Sequence, residues 1–341
     1  MASEQGLSDI DYFRICWSTN HQRDVGYLLL EQTVDDMANE YVMGFGKQII
    51  ITVDKEQVIS IRHNGRGLPF VYLDECTELK SGMMKDSKFR DKLEYGFSTI
   101  NIVSDSFIIC SHRDQKVRTV TFLNGRLQED FIEDSFEPDS WFVSFHLDQT
   151  LFENFSFKFS ILLSIIRDYS YTNAGLTFNF NGLDIVSPLG LKNLIQDKLK
   201  SESLFDIIRL NNEFIEGAFT YSNEASEEYY SFVNNKYTED GGIHLNALIK
   251  HVVRTIKEFL GIHISDKVIR IGLKAAISIY LDTPYYNNSS YNRLIKDHCI
   301  NVDKFIGDFI HSELTKYLHD NPQVARTILN HIKRSAKKSL I

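Results

Sequence analysis

A glycine turn, Asn64-Gly65-Arg66-Gly67, is the part of this sequence best equipped for chemistry, because a backbone without Cβ atoms can approach a ligand closely. The four cysteines, Cys16, Cys76, Cys110 and Cys299, lie far apart and form no CxxC pair. They read as buried structural thiols in a reducing compartment, not as metal ligands or nucleophiles. The tail Lys333-Arg-Ser-Ala-Lys-Lys338 offers cations for phosphates or an acidic partner, yet the same charges suit a solvated helix C-terminus. Of the three features, only the glycine turn sits inside a strongly patterned stretch.

That stretch covers residues 26–69. Leu28, Leu29, Gln32, Val34, Met37, Ala38 and Tyr41 recur at helical spacing and give one largely apolar face. Gly44 and Gly46 stop the helix. Ile49, Ile50, Ile51 and Val53 make 47–53 a buried strand, with 58–61 as its partner, ended by the glycine turn. The charged, Met- and Lys-rich run after Pro69, up to Lys92, predicts a mobile loop. A helix over 96–104 follows, then strands 106–110, 118–123 and 141–147, with Asn124-Gly125 as a hairpin turn. Residues 157–168 form an amphipathic helix, and 176–180 a strand closed by Asn181-Gly182. The pattern shifts near Ser187 to a linking helix, 191–199. Beyond it come strands around 207–210, 216–221 and 229–233, a long helix 244–260, a buried strand 275–281 and two closing helices, 301–318 and 322–338. The fold class is therefore α/β (α+β) in two domains, 1–204 and 205–341.

From residue 40 to 51 (EYVMGFGKQIII) the chain resembles, without a gap, the N-terminal ATPase region of the bacterial type IIA topoisomerases, the family of gyrase B and its topoisomerase IV counterpart. The pattern in the wider GHKL group is a helix with E-x-x-D-N-A-x-D-E, an apolar strand and a D-x-G-x-G-(I/L)-P turn. Residues 232–245 (FVNNKYTEDGGIHL) are similar to the F-x-N-N-x-x-x-x-(D/E)-G-G-T-H block that follows the ATPase domain. Tyr169-Ser-Tyr-Thr-Asn-Ala-Gly175 resembles L-S-F-L-N-x-G, and Arg270-Ile-Gly-Leu273 resembles R-E-G-L. The resemblance implies a GHKL α/β sandwich followed by a transducer-like domain.

It also implies a set of site positions, at which this chain departs from the family. The general base of the first helix falls on Gln32, a neutral amide that cannot take a proton from water. Glu31 is adjacent, but one helical step turns a side chain by about 100° away. The magnesium-holding amide falls on Asp36, the one position where a metal could sit. The Asp that accepts from the adenine amine is His63, and the small hydroxyl residue beside adenine is Trp141, whose indole would fill the volume a purine needs. Gly65 and Gly67 of the turn are kept. Of the glycine-rich lid only Gly96 remains, with Asp91 and Glu94 placing negative charge where phosphates would lie. The transducer lysine that contacts the terminal phosphate falls on Ser289-Ser-Tyr291, and no cation stands at that position. The family's R-K-R-P-G-M-Y-I-G segment near the N-terminus is rewritten as Tyr12-Phe-Arg-Ile-Cys-Trp17.

The scaffold residues match and the chemical ones do not. The expectation is a degenerate gyrase B-like module, a pseudo-ATPase with no cofactor, acting through contacts with itself or with a protein partner such as a gyrase or topoisomerase subunit. The alternative is a divergent ATPase subunit of a type IIA topoisomerase, using ATP and Mg²⁺, with cleavage parts on other chains. An ATPase of the same group unrelated to DNA, such as a kinase or chaperone, is the third reading. A sequence ending at Ile341 is expected to lack the carboxylate module that cleaves DNA. The formal net charge of −9 argues against a surface that binds nucleic acid throughout. With neither a leader pattern nor 18 consecutive apolar residues, a cytoplasmic protein that does not enter membranes is expected.

Overall fold

The computed structural model describes residues 24–74, 76, 96–287 and 291–338. The lid segment around Asp91 and Glu94, the run 12–17, and Ser289 with Ser290 lie outside the described residues. The chain divides into two compact units between Val186 and Ser187.

In the first unit, helix α1 (Val25–Val42) buries Leu29, Leu30, Val34, Met37 and Ala38 against a mixed sheet. Strands β1 (Gln48–Val53), β2 (Ile59–His63), β3 (Ser104–Arg113), β4 (Lys116–Leu123), β5 (Arg126–Asp134), β6 (Ser140–Leu147), β7 (Thr177–Phe180) and β8 (Leu183–Val186) run in the order β5-β4-β3-β6-β2-β1-β7-β8. Only β1 and β7 are parallel; the other neighbours are antiparallel. Short helix α2 (Phe70–Asp74), then α3 (Gly96–Val103) and α4 (Phe159–Thr172) complete the unit. Side chains alternate across a strand, so Ile49 and Ile51 of β1 and Ile59, Ile61 and His63 of β2 all face inward, fully buried. His63 thus belongs to the strand and not to the turn, because it continues the isoleucine alternation by one step. The β4–β5 and β7–β8 hairpins turn on Asn124-Gly125 and Asn181-Gly182, each residue with positive φ as a two-residue primed turn requires.

The second unit carries a sheet of order β12-β11-β13-β10-β9. Its strands are β9 (Ile208–Asn211), β10 (Ile215–Tyr221), β11 (Glu228–Val233), β12 (Lys236–Tyr237) and the wholly buried β13 (Leu273–Ile279). A separate ribbon joins β14 (Pro284–Tyr286) to β15 (Leu294–Asp297). Helices α5 (Leu191–Lys198), α6 (Ile243–Leu260), α7 (Asp266–Arg270), α8 (Val302–Asp320) and α9 (Pro322–Lys338) complete it. The sequence places α5 as a linker within the first domain. In the structure Leu191, Leu194 and Ile195, at i, i+3 and i+4, bury on the second sheet, and the Leu191 N–H donates to Glu216 Oε1 at 2.6 Å.

Gly242, which opens α6, has φ of +137°, and a Cβ there would collide with the backbone of Leu294. A Gly242→Ala variant combines left-handed strain with displacement of β15, and is expected to lose at least about 3 kcal/mol. Chemical denaturation followed by circular dichroism checks this.

Candidate functional site

Helix α1 presents two different polar faces. On one, the buried Asp35 accepts from the Tyr169 hydroxyl at 2.8 Å, and the same hydroxyl lies 3.0 Å from the Glu31 carbonyl. Burial, reinforced by Asp35, pushes the Tyr169 pKa far up, so the phenol remains a neutral donor tying α4 to α1. On the other face, Gln32, Asp36 and Glu40 follow at successive helical turns. Glu40, buried, takes Arg66 in a fork, with Nε 3.0 Å from Oε2 and Nη2 2.9 Å from Oε1. The Arg66 guanidinium also lies 4.3 Å from the centre of the Phe45 ring. This clamp fixes the end of α1 to the glycine turn. Gln32 is buried on the same side of the helix, while Asp36 is half-exposed.

The glycines at and beside the turn approach groups of the chain itself. An ideal Cβ on Gly65 would stand 2.6 Å from His63 Nδ1, and one on Gly46 would stand 2.6 Å from His63 Nε2. The two glycines are a cradle for the imidazole. Gly67 has φ of +68°, and a Cβ there would run into the His112 carbonyl oxygen. Arg113 Nη1 donates to the Gly67 carbonyl at 3.1 Å and Ser111 Oγ to the Leu68 carbonyl at 2.8 Å. The space freed by the missing side chains is occupied by β2 and β3 themselves.

His63 stands directly opposite Trp141 in the β2–β6 register, so both side chains share the inner face of the sheet. Both are fully buried, and Phe97 of α3 packs edge-on against the indole with centroids 5.7 Å apart. Neither His63 ring nitrogen nor Trp141 Nε1 has a hydrogen-bond partner among the described residues. Burial without a counter-charge lowers the His63 pKa to about 4, so the ring is neutral at pH 7. Gly96 begins α3 with φ of +42°, and a Cβ there would make ordinary contact with Ser98 Oγ at 3.7 Å.

The block 232–245 does scaffold work. Asn234 and Asn235, with φ of +52° and +68°, make the two-residue turn between β11 and β12. The Asn234 amide exchanges two 2.9 Å hydrogen bonds with the backbone of Leu281, and the Tyr280 hydroxyl donates to Asn235 Oδ1 at 2.8 Å. His244, fully buried, has its Nε2 3.1 Å from the Thr238 hydroxyl, and burial lowers its pKa to about 3. In the same unit the Lys236 ammonium lies 5.4 Å from the Tyr291 ring centre, and Tyr286 meets the ring edge-on at 5.0 Å. Lys236 follows the Asn-Asn turn immediately, and pairing of its two-residue strand with β11 carries it there. Sequence spacing alone misses this contact, as it misses Asp35–Tyr169 and Glu40–Arg66. A carboxylate one turn beyond Asp36 and an arginine inside the glycine turn are the available signals for the last. Among the described residues no three His, Cys, Asp or Glu side chains gather as a metal site. No described helix is long and apolar enough to cross a membrane.

Comparison with known proteins bears on this arrangement. The family model for DNA gyrase B matches residues 190–340. The B subunit of DNA topoisomerase 4 from Borreliella burgdorferi is 31% identical over 277 residues, which is 79% of this chain and 46% of that protein. The B subunit of DNA gyrase from Metamycoplasma hominis is 27% identical over 356 residues, 88% of this chain and 53% of that one. This chain belongs to the family of gyrase B and its topoisomerase IV counterpart. It spans about half the length of these curated relatives. The fold of this gyrase B-family chain is the GHKL one. It superposes on the 43K ATPase domain of Thermus thermophilus gyrase B with a TM-score of 0.80, at 18% identity, covering 97% of this chain and 96% of that one. For the topoisomerase IV ATP-binding domain of Francisella tularensis the TM-score is 0.76, at 20% identity and 98% coverage of both.

Proposed function

We propose that this chain is a gyrase B-type module whose nucleotide site has been closed by its own side chains, and that it works through protein contacts instead of ATP turnover. The observation that carries the reading is the pair His63 and Trp141, buried side by side on the inner face of the sheet. These positions correspond to the adenine acceptor and the adenine wall of the family. An imidazole held between Gly46 and Gly65, and an indole packed edge-on against Phe97, support the reading that protein takes up that volume. Gln32 at the base position supports the same reading, since an amide cannot deprotonate water. Asp36 could still hold a magnesium ion, but one carboxylate is a weak site without substrate phosphates. The residues present therefore fit neither a purine nucleotide nor its hydrolysis. A second copy of the chain, or a subunit of a type II topoisomerase, is the partner class that the family suggests.

Titration calorimetry with Mg·ATP tests the proposal. No heat of binding is expected at millimolar nucleotide, and light scattering is expected to show the same mass with and without a non-hydrolysable ATP analogue. A dissociation constant in the micromolar range, or nucleotide-driven dimerisation, would instead support the divergent topoisomerase ATPase subunit, the reading favoured by the names of the relatives.

A further inference from the structure

Strand β5 is one edge of the eight-stranded sheet, and each of its nine residues is exposed. An edge strand offers a row of unpaired N–H and C=O groups, and chains usually blunt it by shortness, proline, lysine or a bulge. Between Arg126 and Asp134 there is no proline and no lysine. The one irregularity in its pairing lies near the hairpin end, between Thr121 and Phe122 of β4, and from Glu129 to Asp134 the register with β4 is unbroken. Apolar side chains stand on this edge uncovered: Leu127 is 49% exposed, Phe131 40%, Ile132 53%, and Phe136 just beyond it 97%. Phe131 and Ile132 are consecutive and so project to opposite faces.

The charge along the edge is predominantly negative. Arg126 stands against Glu129, Asp130, Glu133 and Asp134. Asp130 is held by Arg118 through contacts of 2.9 and 2.7 Å, whereas Glu129, Glu133 and Asp134 make no ion pair among the described residues. Like charges facing across a strand pair are unfavourable, so this edge discourages pairing with a second copy of itself. The same carboxylates favour a cationic neighbour.

We propose that β5 accepts an extended basic and apolar segment of a partner protein as a ninth strand. Antiparallel pairing, the more stable arrangement per residue, fixes the pattern. Opposite Asp134 and Glu133 the guest carries cations, opposite Ile132 and Phe131 β-branched apolar residues, opposite Asp130 a neutral residue, and opposite Glu129 a further cation. Read along the guest, that is Lys-Lys-Val-Val-Thr-Lys. Main-chain hydrogen bonds supply affinity and the alternate side chains supply selection. The proposal is independent of the nucleotide reading, because β5 is four strands away from β2 in the sheet.

The probe is a fluorescein-labelled Ser-Lys-Lys-Val-Val-Thr-Lys-Ser peptide added to the intact chain at low salt, read by anisotropy and by amide hydrogen exchange. Saturable binding with slowed exchange over 126–134 is expected. The combined change Glu129→Lys, Glu133→Lys and Asp134→Lys should weaken it at least tenfold. The same reversal at Glu213, Glu239 and Asp320 should change it less than twofold. A peptide N-methylated at alternate amides should not bind, which tests backbone pairing without altering the protein. Equal weakening by both triple variants, binding of the N-methylated peptide, or unchanged exchange over 126–134 would overturn the proposal. So would a concentration-dependent dimer abolished by Phe131→Lys, which would make the occupant a second copy.

Discussion

Lowering the pH from 7.5 to 4.5 is expected to remove on the order of 2–3 kcal/mol of stability from each unit, through one buried histidine in each. His63 has a folded-state pKa of about 4 and His244 one of about 3, both below the ordinary value of 6.5. A depressed folded value means that protonation favours the unfolded chain. Their contribution is therefore complete above about pH 6.5 and is lost as the pH falls, through about 4 for His63 and about 3 for His244. Desolvation is the cause in both cases, and no counter-ion among the described residues relieves it. Urea unfolding at a series of pH values checks the slope. Trp141 is buried in the first unit, and the second unit holds no tryptophan, so fluorescence of a Trp17→Phe background follows the first unit. A His63→Leu variant should flatten the acid limb seen by fluorescence and leave the remainder of the profile unchanged. An identical acid limb in that variant would show that His63 is not the group responsible.

The second large effect is expected at Trp141. Replacing it with Thr removes a fully buried indole from a close-packed face and should destabilise the first unit by about 3–5 kcal/mol. The same change creates a cavity beside His63. If that cavity occupies the purine volume, Trp141→Thr combined with His63→Asp should gain measurable affinity for adenine nucleotides that the parent chain lacks. Hydrolysis should still be absent, because Gln32 remains and the loss of a general base alone typically removes 10²–10⁴ of rate. Adding Gln32→Glu to a variant without nucleotide affinity should do nothing. Thermal denaturation gives the stability cost, and calorimetry with ATP and with GTP gives the gain and its selectivity. Affinity gained equally for both bases would argue against His63 standing at the adenine-reading position.

Much of the first unit is legible in the sequence because its signals are local. The apolar spacing of α1, the isoleucine run of β1 and the Asn-Gly turns each depend on only a few neighbouring residues. The resemblance supplies the register, and the two-layer fold follows. The meaning of the glycines at 65 and 67 is harder to read. A glycine permits close approach, but sequence does not say by what; here the approaching groups are an imidazole and a backbone carbonyl of the same chain. The motif puts position 63 at the turn, where strand alternation puts it in the core. The Glu40–Arg66 fork and the Lys236–Tyr291 contact join residues whose spacing in sequence carries no pattern. β5 is invisible for a different reason: with every residue exposed, it has no hydrophobic period to detect.

The filled cradle around His63 also bears on signalling. A module that responds to a ligand must have at least two populated conformations whose ratio the ligand can bias. Here helix, turn and sheet are joined by the chain's own fork and by a buried imidazole and indole. On the proposed reading no nucleotide biases them, and the surface of the first unit is then a constant and not a variable. A partner would then meet the same face at any energy charge of the cell, and occupancy would follow only the concentrations of the two partners.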